Sequence, residues 1–168
     1  MPYLALVWLH VLAAIIWIGG MVFVGAILAP IARAMAPQDR AAVLHRVGLR
    51  FSIVGWVCIG VLLLTGPLML SLRGRLELLV NPASAAGTTF GYVLLAKLGV
   101  IFVMVVLSLL HDFWLGPRLV GALASSRESY PTDPIRMRSL QRWVALLARL
   151  NLGLGVMVVA LGVILARM

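Results

Sequence analysis

Charged side chains make up only 11% of this 168-residue chain, and cysteine occurs once. So little charge beside 63% hydrophobic residues, with a mean hydropathy of +1.11, excludes an ordinary soluble domain. The chain reads as an integral membrane protein. Its lone cysteine, Cys58, lies inside an apolar run, which excludes a disulfide framework and a paired-thiolate metal site. Neither a Met-x-x-Met nor a Cys-x-x-Cys cluster is present, and no solenoid-type repeat. No basic residue precedes the first apolar run, and that run is too long for a signal-peptide core, so it reads as a retained helix.

Four long apolar runs are present: Leu4 to Ala29, Leu49 to Leu72, Phe90 to Leu115 and Trp143 to Ala166. Each has the ~20 residues needed to cross hydrocarbon at ~1.5 Å per residue. The expected architecture is all-α: one domain, 1–168, folded as an antiparallel bundle of four transmembrane helices. Fourteen Lys and Arg against five Asp and Glu give a net charge of +9. In such a chain this points to anionic lipid rather than nucleic acid.

The arginines also set an orientation. The first connection carries Arg33, Arg40 and Arg46, and the third carries Arg118, Arg127, Arg136, Arg138 and Arg142. Only Arg73, Arg75 and Arg167 fall on the other side. Connections one and three are therefore expected in the cytoplasm, with both termini outside a bacterial-type inner membrane. Pro37 is expected to open a short amphipathic stretch, and Tyr130-Pro131-Thr132-Asp133-Pro134 to interrupt any helix in the third connection. Gly48, Ser52, Gly55 and Gly66 on helix two, and Asn151, Gly155 and Gly162 on helix four, form small-residue faces suited to close helix packing.

Within the third run, Lys97, Met104 and His111 stand seven apart, with Ser108 on the same side of the helix. A lysine inside a bilayer is costly, so this stripe must face protein, water or a ligand. His10 lies six residues into the first run, with Trp17 and Met21 on its side. His10 and Lys97 are both expected ~9–12 Å below the outer surface, whereas His111 is ~21 Å deeper than Lys97. The two histidines thus cannot ligate one iron from opposite faces. An outer level would gather His10, Lys97 and Thr65; an inner one would gather His111, Asp112, Arg50, Arg149 and Asn151.

Imidazole in a helix bundle is a common ligand for haem iron, copper or zinc, which makes His10 and His111 the candidate metal ligands. A buried lysine can anchor a carboxylate. The inner group reads either as a salt-bridge net around Asp112 or as arginines holding an anionic ligand. Copper(I) favours thioethers, but the scattered methionines read as packing, Met104 excepted because it shares the stripe.

Taken together, His10-Val-Leu-Ala-Ala-Ile-Ile-Trp17-Ile-Gly19-Gly20, Arg50-Phe51-Ser52, Thr65-Gly66, Gly91 with Lys97-Leu98, and His111-Asp112-Phe113-Trp114-Leu115-Gly116-Pro117-Arg118 resemble the copper-resistance protein D (CopD-like) membrane domain. The related HemJ-type protoporphyrinogen oxidases also pair a first-helix histidine with a third-helix lysine, and are associated with haem b. This chain departs from HemJ by lacking an arginine-rich continuation after its helix-one glycines. It departs from many CopD-like chains by Asn151, where an acidic residue often stands. The resemblance implies a role in copper handling or haem-linked redox chemistry, carried by His10 and Lys97; with haem b or copper as the expected cofactor, Thr65, Trp17 and Met104 are the further candidate cofactor-binding residues. A haem-dependent oxidase and a non-catalytic membrane subunit are the alternatives. A membrane redox partner or a second copy of the chain would be the protein partner.

Overall fold

The computed structural model describes residues 2–118 and 134–168. All its regular elements are helical: α1 (Pro2–Ala34), α2 (Pro37–Leu72), the short α3 (Glu77–Val80) and α4 (Pro82–Ala85), α5 (Thr89–Arg118) and α6 (Pro134–Ala166). The four long helices each contain a stretch long and apolar enough to cross a membrane. Tyr130 to Asp133 of the proline-rich segment lie outside the described residues.

The helices run longer than the apolar runs, chiefly at the arginine-rich end. There α2 continues back to Pro37 and α6 to Pro134. A helix satisfies its own backbone, so leaving the hydrocarbon does not force it to end. Pro37 occupies the first turn of α2, where its missing N–H costs nothing, and Asp39 stands in the same turn. At the other end Gly74 adopts φ +66°, and its N–H bonds back to the Ser71 carbonyl while that of Arg75 bonds to Leu70. The left-handed glycine stops α2. Thr88 caps α5 by accepting the Gly91 N–H at 3.0 Å.

The chain goes up and down, so both termini of the bundle lie at one end. The α1–α2 and α5–α6 hairpins are the two most extensive helix pairings. In the second hairpin the facing residues keep one register. Leu94 and Leu165 share a small apolar core with Leu70; Lys97 meets Gly162, Met104 meets Gly155, and Ser108 meets Asn151. Residue numbers in each of these antiparallel pairs add to the same sum. The stripe of Lys97, Met104 and Ser108 is therefore the α5–α6 packing seam, with α6 glycines opposite its long side chains.

Glycines serve the first hairpin similarly. A Cβ at Gly20 would strike the Phe51 ring, and one at Gly55 would sit 3.5 Å from the Trp17 indole. Without a hydrophobic drive inside lipid, such close approach is what holds helices together. Gly91 is the tightest position, where a Cβ would overlap the Ala85 carbonyl, so α4 lies directly on the start of α5. Two segments depart from α geometry, Phe23–Leu28 in α1 and Leu110–Leu115 in α5, each forming a π turn toward the arginine-rich end.

Candidate functional site: two polar levels

Near the terminal end, His10 on α1 reaches Thr65 on α2, with Nδ1 2.7 Å from the threonine Oγ1. That hydroxyl also lies 2.7 Å from the Val61 carbonyl one turn back. A hydroxyl has one hydrogen, which Thr65 donates to Val61; His10 Nδ1–H then donates to Thr65. This arrangement leaves the imidazole Nε2 with a lone pair and no hydrogen. Thr65 itself is 3% exposed, and the His10 ring passes against Gly66.

Lys97 on α5 lies within electrostatic reach of the His10 ring. Its Nζ is 3.3 Å from the position a Gly162 Cβ would take, so the missing side chain makes room for the ammonium. Among the described residues no hydrogen bond or ion pair reaches that ammonium. The level thus holds two unspent functional atoms, an imidazole nitrogen and an ammonium.

Thirteen residues earlier on α2, about 20 Å away along the helix, a second level centres on Asp112. Ser52 Oγ donates to its Oδ2 at 2.6 Å, Trp56 Nε1 donates to the same oxygen at 3.1 Å, and His111 Nδ1 bonds Oδ1 at 2.9 Å. The Ser52 and Trp56 bonds join α2 to α5, across the two hairpins. Here the carboxylate is fully engaged.

Three predicted groupings need correction. Arg50 and Arg149 are exposed and make no bond to Asp112 or His111 among the described residues. Both stand on outward faces of their helices, where the guanidinium is not enclosed by the bundle. Asn151 does not join His111; its Nδ2 donates to Ser108 Oγ at 3.1 Å and lies 3.6 Å from Met21 Sδ, leaving the buried Oδ1 unpartnered among the described residues. Trp17 and Met104 do not reach the His10 level. They pack between levels against Gly55 and Gly155, Met104 being 1% exposed.

Sequence reasoning missed Ser52 and Trp56 as the partners of Asp112. The available signal was their spacing: four apart on one face of α2, opposite the end of α5. Groups of three His, Cys, Asp or Glu able to hold a metal do not occur among the described residues.

Comparison with known proteins adds a family. The model for copper resistance protein D matches residues 45–165, more than two thirds of the chain. The chain belongs to the CopD family. That match takes in Thr65, Lys97, His111, Asp112 and Asn151, whereas His10 precedes it. An uncharacterized protein of Aquifex aeolicus (strain VF5) is 35% identical over 156 residues, covering 92% of this CopD-family chain and 89% of the relative. No solved structure matches.

Proposed function

We propose that this CopD-family membrane protein binds haem b or copper at His10, in the outer half of the bundle, and takes part in copper handling or membrane redox chemistry. The observation that carries this reading is the Val61–Thr65–His10 hydrogen-bond chain, which orients the ring and leaves Nε2 available. Orientation of a ligating histidine by a bond to its other nitrogen is the usual arrangement at metal sites.

The donor set fits haem b better than a lone copper ion. Haem iron is held by imidazole, and His10 would supply that ligand. Copper would need further sulfur or nitrogen donors at this level, and among the described residues no three His, Cys, Asp or Glu side chains converge. Haem, when bound, supplies one-electron redox chemistry. Lys97 contributes a positive charge that an anionic group such as a propionate would take by a charge-assisted hydrogen bond. By the arginine distribution, the level faces the outer half of an inner membrane, with both termini outside.

The visible spectrum of the purified protein, with metal analysis on the same sample, tests this. A Soret band in the wild type that His10→Ala abolishes, while the variant stays monodisperse, supports haem. Bound copper without a Soret band, lost in the same variant, supports the copper branch. Neither group in the wild type, or equal binding in His10→Ala, overturns the reading and leaves a non-catalytic subunit.

A further inference from the structure

The arginine-rich end carries a feature that the His10 level does not use. Two cavities meet there at Trp143. One, of about 520 Å³, is lined by Arg138, Ser139, Arg142, Trp143 and Leu146. The other, of about 280 Å³, is apolar and is lined by Leu110, Trp114 and Leu115 of α5 with Trp143 and Leu147 of α6. A cationic recess along α6 therefore adjoins an apolar slot between α5 and α6, with Trp143 lining both.

The local structure explains the shape. Leu110, Trp114 and Leu115 belong to the π turn of α5, whose wider winding brings residues four and five apart to one face. Arg138 and Arg142 are one turn apart on α6, on the same face. Like charges at that spacing repel, and an anion between them would relieve the repulsion. A third guanidinium, that of Arg118, stacks 3.9 Å from the centre of the Trp114 ring, beside the slot. Asp112, the acid of α5, already accepts from Ser52 and Trp56 and pairs with His111, and among the described residues no ion pair reaches Arg138 or Arg142.

We propose that this groove between the end of α5 and the start of α6 binds an anionic phospholipid. Arg138, Arg142 and Ser139 hold the phosphate, and an acyl chain lies along Trp143 and the apolar slot. Arginine suits a phosphate because its planar fork bonds two oxygens at once. The slot distinguishes a lipid from free phosphate. Basic pockets between helices on the cytoplasmic side of a membrane are the expected place for such headgroups.

The test is native mass spectrometry of the full chain in detergent, titrated with phosphatidylglycerol or phosphatidylcholine, with inorganic phosphate as a separate arm. Each arginine near an anionic surface contributes about fivefold, so Arg138→Gln with Arg142→Gln should weaken phosphatidylglycerol binding on the order of thirtyfold. An Arg33→Gln/Arg40→Gln control at the same end should change it less than twofold. Equal binding of phosphatidylcholine, an equal loss in the control pair, or displacement of phosphatidylglycerol by millimolar inorganic phosphate would overturn the proposal. Should the arginine pair prove too unstable to purify, brominated-chain phosphatidylglycerol reads the slot directly. It should quench wild-type tryptophan fluorescence and quench Trp143→Phe measurably less; identical quenching in the two would refute the site.

Discussion

The level at Asp112 and the level at His10 use polar atoms in opposite ways. At Asp112 three donors converge on one carboxylate, two from α2 and one from the neighbouring histidine. At His10 a single helix-to-helix bond is made, and among the described residues a ring nitrogen and an ammonium are left over. Polar groups inside a membrane are costly, so a saturated cluster is explained by what it holds together. Leftover atoms are not explained that way. The contrast separates the level that ties hairpin to hairpin from the level with binding capacity, although each contains a histidine on a long helix.

Stability measurements can break that contrast. Asp112→Ala should have the largest effect, because it strands three donors at once. With interhelical bonds in membranes contributing ~0.6–1.7 kcal/mol apiece, the expected loss is about 2–5 kcal/mol, read from unfolding in mixed micelles. A loss near zero would mean that the cluster does not tie the hairpins. Thr65→Val should cost about 1 kcal/mol, since only the His10 and Val61 bonds go, and it should broaden any His10-bound absorbance by freeing the ring. Lys97→Met should leave stability unchanged or raise it by up to about 2 kcal/mol, because it removes a membrane-embedded charge that has no partner among the described residues. The same variant should weaken binding of an anionic ligand. Marked destabilisation by Lys97→Met would show that the ammonium is structural, and would erase the difference between the levels.

Much of the fold is legible in the amino-acid sequence. Helix length and hydropathy are local properties, so four runs of twenty or more apolar residues specify four spans. The heptad stripe on α5 was visible too, and so were the small residues of α6. That the two face each other was not. Nothing in Lys97 or Gly162 alone states that one fills the gap left by the other; the match exists only once antiparallel register is set by packing. The inner level shows the same limit. Charge alone suggested arginine partners for Asp112, yet neutral Ser52 and Trp56 take that place, because Arg50 and Arg149 lie on exposed helix faces while Ser52 and Trp56 face α5. The π turns also escaped notice, since no residue pattern distinguishes one extra residue in a helical turn from a continuous helix.

By itself, then, the sequence determined that this chain lies in a membrane as four helices, and that its few titratable residues fall at two depths. Those follow from length, hydropathy and the fixed rise of a helix. Only the tertiary structure decided which of these residues are used up and which keep a free atom. Partnership depends on which helix faces enclose each side chain, and inside lipid close packing around glycines, not local sequence, sets those faces.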